Sequence, residues 1–279
     1  MKNVHLFIVT FLLLSCTQKN KNTSTESKTE ETVKNQINVP AFQAIIDSAD
    51  VTGAILIYNL QTDFYYANDF TWANKGKLPA STYKIPNSII ALETGVVKND
   101  STLFKWDGQK RAFKIWEQDL LFKDAFQYSC VPCYQEVARN IGLQRMKEHI
   151  TRFNYGEIKV DSTTIDNFWL VGESKINQFQ QIDFLKRFYL SQLPITDRTT
   201  KIIKNIMVIE HTPQYSLSGK TGWSVSNGHN GWFVGYVEKG SQTYLFATNI
   251  EPTRQFNMDK FPSIRKDITI KALKQMQIL

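Results

Sequence analysis

The chain has 279 residues, 42% of them hydrophobic, which is enough apolar material for one large folded domain or two closely packed lobes. Its 33 basic and 26 acidic residues leave a formal net charge of +7, a field that favours anionic ligands. The lysines and arginines are spread along the chain without a basic block, so nucleic acid is not an expected partner.

Residues 1–16 read as an export signal. Lys2 supplies the positive start, residues 4–14 form an apolar run, and Leu13-Leu14-Ser15-Cys16 closes it. The run falls short of the ~20 apolar residues that span a bilayer. Its last four residues resemble the lipobox of bacterial lipoproteins, which implies that Cys16 is lipidated after cleavage and that two acyl chains anchor the protein. Thr17 in the next position implies sorting to the outer membrane. An ordinary signal peptide, leaving a soluble periplasmic protein, is the alternative. Residues 17–38 are almost wholly polar and cannot offset the entropy of ordering, so they read as a flexible tether before a domain spanning 39–279.

Residues 51–60 and 63–67 are β-rich around a short polar break and predict a hairpin. From about 100 to 193 the spacing turns helical, as in 134–141 and 182–190, and predicts a helical lobe over about 100–205. Strand character returns at 215–217, 231–238 and 243–250. Lys239-Gly240 makes a tight turn between the last two. A final helix is expected over 259–279. The fold class is therefore mixed α/β (α+β): one antiparallel sheet drawn from both chain ends, flanked by helices, with an all-helical lobe inserted. A cleft between two such lobes is a natural ligand site.

Two short elements carry chemistry. Ser81-Thr82-Tyr83-Lys84 opens an apolar helix, and three-residue spacing stacks Ser81 and Lys84 on one face. Pro86 is tolerated in the opening turns, which places Ser81 at the helix start, where free backbone N–H groups face a developing oxyanion. Serine is a weak nucleophile until a base takes its proton, and Lys84 stands where that base is needed. Downstream, Lys220-Thr221-Gly222-Trp223 joins a cation, a hydroxyl and a glycine at a strand. That set suits carboxylate binding and close approach of a substrate to the backbone.

Residues 79–93, Ser129-Cys130-Val131, Phe168-Trp169-Leu170, the Lys-Thr-Gly element and residues 231–238 occur in an order that resembles the class D (oxacillinase-type) serine β-lactamases. The resemblance runs from about residue 50 to the C-terminus. It implies the serine β-lactamase and penicillin-binding-protein fold, and hydrolysis of β-lactam antibiotics through an acyl-enzyme on Ser81, giving resistance. It further implies carbamylation of Lys84 by carbon dioxide to form the general base, with no other cofactor. Val131 and the Trp169 indole would hold that group, and Ser129 would relay a proton to the leaving nitrogen. Lys220, Thr221 and Arg265 would bind the substrate carboxylate, and the backbone N–H groups of Ser81 and Trp223 would form the oxyanion hole. Arg254 is the alternative arginine. A β-lactam sensor or a penicillin-binding peptidase, acylated without turnover, is the competing function.

Two features depart from the expected pattern. Glu157 in Tyr155-Gly156-Glu157 stands where the family commonly carries asparagine; no catalytic role is expected of it, and its acidic side chain there would either alter the cleft wall or repel an anionic substrate. Cys130 and Cys133 read as unpaired core thiols, with a local disulfide as the alternative. His5, His149, His211 and His229 form no ligand-spaced set with them, so no metal centre is expected.

Overall fold

The structure, a computed structural model, describes residue 2, residues 35–226 and residues 228–279. The remainder of the export signal, Cys16 and positions 17–34 of the tether lie outside the described residues. The chain opens with β1 (Gln36–Asn38), α1 (Pro40–Ser48), β2 (Val51–Asn59), β3 (Phe64–Ala67), α2 (Phe70–Ala73) and α3 (Lys84–Glu93). The middle holds β4 (Leu103–Phe104), β5 (Leu120–Leu121), α4 (Phe122–Gln127), α5 (Val131–Ile141), α6 (Leu143–Phe153), α7 (Gln178–Tyr189) and α8 (Asp197–Met207). It then returns through β6 (Val208–His211), β7 (Ser216–Ser224), β8 (Asn230–Lys239) and β9 (Gln242–Pro252) to α9 (Phe261–Gln275).

The main sheet has the order β1-β3-β2-β9-β8-β7-β6, so both chain ends supply it, as the strand pattern predicts. Within it β1 pairs parallel with β3 and the other pairings are antiparallel. The hairpins β2–β3 and β8–β9 form as expected, the latter turning at Gly240 with φ +58°. Two boundaries differ. Gln36–Asn38, expected to end the tether, form β1 because their backbone pairs with residues 65–67. The strand expected at 215–217 extends to Ser224: its small and polar residues hide the alternation, yet it pairs with β8 along its whole length.

β2, β8 and β9 are apolar on both sides because the sheet lies between two cores. Successive side chains of a strand point to opposite faces. Leu56, Tyr58, Trp232, Val234, Leu245 and Ala247 face the core shared with α3–α8. Ile55, Ile57, Phe233, Val237, Phe246 and Ile250 face the core shared with α1 and α9. Residues 84–92 of α3 are buried all round, as a helix must be when it runs through the interior of a mixed fold.

The cysteine expectation is corrected. Cys130 and Cys133 form a disulfide, with Cα atoms 5.4 Å apart. Cys130 caps α5 and Cys133 lies one turn on, and that three-residue step brings the two Cα atoms into bonding range.

Candidate active site

Ser81 lies in a 3₁₀ turn, Ala80–Tyr83, that runs directly into α3 at Lys84. Lys84 Nζ donates to Ser81 Oγ at 3.2 Å, so the two groups share one face as their spacing requires. Several contacts fix the turn. Ala80 takes a left-handed φ of +50° and its N–H donates to Trp169 O at 2.8 Å. Thr82 Oγ1 donates to Pro79 O at 2.6 Å and accepts from Gln181 Nε2 at 2.9 Å; Tyr155 OH donates to Gln181 Oε1 at 3.3 Å. Asn230 Nδ2 and Trp232 Nε1 both donate to Leu78 O at 2.8 Å.

Lys84 is buried, and desolvation alone brings its pKa from the ordinary lysine value down to about 7. Its ammonium lies 4.9 Å from the ring centre of Tyr134. Trp169 is fully buried and stacks on Tyr83 with ring centres 5.7 Å apart. Its indole Nε1 has no hydrogen-bond partner among the described residues. A buried N–H without an acceptor is costly, so this donor is open to an acceptor the bare chain does not supply.

On the sheet side, β7 carries Lys220, Thr221, Gly222 and Trp223 along the edge of the nucleophile turn. Lys220 is 4% exposed, and its Nζ donates to Ser129 Oγ and, at 3.1 Å, to Thr221 O. Burial first, then repulsion from Lys84 and Arg265, drives its pKa well below the ordinary lysine range. Gly222 packs closely on the nucleophile turn. A β-carbon there would lie 3.1 Å from Thr82 Cγ2 and 3.2 Å from both Pro79 O and Thr82 N.

Arg265 projects from α9 and is anchored through three backbone carbonyls. Its guanidinium donates to Gly222 O at 2.6 Å, Pro262 O at 2.8 Å and Phe261 O at 3.1 Å. Burial lowers its pKa to about 10, so it stays cationic at neutral pH.

Ser81, Ser129, Val131, Thr221, Trp223 and Arg265 line one open cavity of about 270 Å³. Lys84 and Lys220 stand behind it through their contacts with Ser81 and Ser129. Three basic side chains thus converge on a space with no acidic side chain among its described lining residues, and Arg265 among them stays cationic at neutral pH, which favours an anionic ligand. Arg254 does not join them; it borders a separate cavity with His229 and Phe256. Glu157 is exposed, its backbone bridges Lys175, and it does not line the cavity.

Sequence reasoning missed the apolar rim formed by Phe113, Ile115, Trp116, Tyr128 and Pro262. The available signal was four large apolar residues, Trp106, Phe113, Ile115 and Trp116, in the otherwise polar segment 105–119, of which Trp106, Phe113 and Ile115 are exposed.

The sequence matches the family described as penicillin binding protein transpeptidase domain over residues 18–269. It is 40% identical over 233 residues to beta-lactamase OXA-10 of Pseudomonas aeruginosa, covering 82% of this chain and 86% of the relative. Among solved structures, a class D β-lactamase from Nostoc superposes with a TM-score of 0.81 at 40% identity, covering 85% of this chain and 99% of that one. FUS-1 (OXA-85), a class D β-lactamase from Fusobacterium nucleatum subsp. polymorphum, gives a TM-score of 0.82 at 31% identity, covering 87% and 100%.

Proposed function

We propose, on the premise that this chain belongs to the class D serine β-lactamases, that Ser81 is the nucleophile of its β-lactam hydrolysis and that a carbamylated Lys84 is the base. The observation that carries this reading is the buried pair Lys84–Ser81 together with the orphaned indole N–H of Trp169, a residue whose carbonyl holds Ala80 and whose ring stacks on Tyr83.

A lysine must lose its proton before it reacts with carbon dioxide, and desolvation keeps much of Lys84 neutral near pH 7. The residues present fit a carbamate: Trp169 Nε1 offers a donor that none of the described residues accepts. When carried on Lys84, that group supplies a carboxylate-like base beside Ser81 Oγ, for the serine proton in acylation and for a water molecule in deacylation. Ser129, hydrogen-bonded to Lys220, passes a proton to the nitrogen leaving the opened ring. Lys220, Thr221 and Arg265 bind the substrate carboxylate. The backbone N–H groups of Ser81 and Trp223 hold the oxyanion, one such donor being worth about 3 kcal/mol. The apolar run closing at Cys16 supports export and a lipid anchor, with the catalytic domain held in the periplasm at the outer membrane.

The test is turnover of a chromogenic β-lactam with and without bicarbonate across pH. Sustained turnover should rise on adding bicarbonate, and this dependence should grow as the pH falls below about 7, where Lys84 becomes protonated. A single stoichiometric burst at every bicarbonate concentration would instead indicate a sensor or peptidase. Steady turnover indifferent to bicarbonate across this pH range would remove the carbamate.

Gly222→Ala is expected to lower kcat/KM by roughly tenfold with little change in melting temperature, because its methyl would push β7 away from the backbone of the nucleophile turn. Steady-state kinetics on the same substrate check this. Unchanged kcat/KM would mean that the turn yields without cost.

A further inference from the structure

The disulfide interleaves with site residues. Ser129 and Val131 flank Cys130, and Tyr134, whose ring faces Lys84, follows Cys133. Ser129 holds φ +53°, a left-handed conformation that a non-glycine residue adopts only when its surroundings impose it. Two backbone bonds approach from the α4 side, Ser129 N–H to Phe126 O at 3.1 Å and Cys130 N–H to Ala125 O at 2.9 Å. From the α5 side the restraint is covalent. Cys130 is the N-cap residue, its sulfur accepts the Cys133 N–H at 3.2 Å, and the S–S bond ties that cap to the first turn around Val131.

We infer that the Cys130–Cys133 disulfide is a positioning element of the reaction, a brace that holds Ser129 in its left-handed turn against Lys220 and keeps Val131 on the cavity wall. The inference rests on the role proposed for Ser129. Without the brace Ser129 is free to relax to an ordinary φ, which withdraws its hydroxyl from Lys220 and slows proton delivery to the leaving nitrogen.

The brace is reducible from one side. Cys130 is 1% exposed, whereas Cys133 is half-buried, and both border a neighbouring open cavity of about 350 Å³ with Lys105, Arg111 and Arg139. A thiolate of a small dithiol attacks Cys133 Sγ and the S–S bond breaks. Cys130 leaves as a thiolate that accepts the Cys133 N–H at the start of α5. The second thiolate of the dithiol then attacks its own sulfur in the mixed disulfide, which frees Cys133 and closes the reagent's disulfide. Two electrons and two protons pass from the dithiol to the protein.

The experiment uses the purified enzyme before and after dithiothreitol, desalted, with the two new thiols counted by alkylation and mass spectrometry on a parallel sample. Acylation and deacylation by a chromogenic β-lactam are timed separately across pH. Reduction is expected to slow acylation by roughly tenfold and to displace its pH profile, with the circular dichroism spectrum unchanged and activity restored on reoxidation. The double variant Cys130→Ala/Cys133→Ala should begin at the reduced rate and ignore dithiothreitol. The inference is overturned if the fully reduced enzyme acylates at the oxidised rate with the same pH profile. It is equally overturned if the rate falls only in step with loss of the folded spectrum, since the bond would then be merely structural. Failure of the underlying reading looks different: Ser129→Ala would acylate at the wild-type rate in the oxidised enzyme, and the inference would fall with it.

Discussion

Ser81→Ala is expected to lose β-lactam hydrolysis by about 10⁶-fold and to show no mass increase after exposure to substrate, while still binding intact β-lactam. The size follows from the covalent route: without the hydroxyl, acylation has no nucleophile, and only positioning and the oxyanion donors are left. Binding should persist because the carboxylate-holding groups do not depend on Ser81. Lys220 is held by Ser129 and Thr221, and Arg265 by three backbone carbonyls. The fold should persist too, since the turn is fixed by Ala80, Thr82 and Leu78 rather than by the serine side chain. Intact-protein mass spectrometry and a binding titration check both parts. A covalent adduct on the variant would move the nucleophile elsewhere, with Ser129 the first candidate.

Much of this site was legible in the sequence because its chemistry sits on short elements with local geometry. Ser-x-x-K at a helix start needs only the spacing of one turn, and the structure gives the contact that spacing implies. Lys220 was harder to interpret. Nothing local to β7 indicates that its partner is Ser129, 91 residues away. Trp169 was read from the resemblance as a donor to the base; the structure adds that its ring is core, because burial hides the ring and also strands the N–H. The two arginines were separable only by resemblance, and packing explains the difference: the guanidinium of Arg265 is seated beneath Gly222, while Arg254 lies in the turn region after β9. Neither β1 nor α1 was foreseen. β1 is three polar-flanked residues whose only reason to be extended is a partner strand, and α1 is a nine-residue helix whose apolar positions matter only against α9 and the sheet. The disulfide turned on a Cα separation that sequence does not contain.

In the proposed mechanism one lysine serves as the base and the other as the anchor, and their charges are linked. Both are desolvated and each repels the other; Lys84 touches a hydroxyl and an aromatic ring, and Lys220 lies in the field of Arg265 as well. Anything that removes positive charge from Lys84 therefore relieves Lys220 and favours its protonated form, the form that binds a carboxylate and donates to Ser129. Base and anchor are coupled through charge, so loss of Lys84 should disturb both halves of the reaction unequally.

Lys84→Ala is the variant in which that inequality shows. Ser81 retains its position and should still be acylated, slowly, while release of the adduct should slow by about 10²–10⁴-fold, the range a general base contributes. The acyl-enzyme should therefore persist at one equivalent in mass spectra, and bicarbonate should not accelerate its loss. Stability gives an independent reading with a defined sign. The folded-state value of Lys84 is about 7 against 10.5 for the unfolded chain, so between these values the unfolded state binds the extra proton. Wild-type stability should thus gain on the variant as pH rises from about 7 towards 10, with nothing comparable below 7, where lysine is protonated in both states. Thermal unfolding of both proteins in bicarbonate-free buffer measures this difference. A melting-temperature gap that ignores pH would mean the amine is hydrated in the folded protein. Rapid release of the adduct by Lys84→Ala would mean that another group drives water onto the ester.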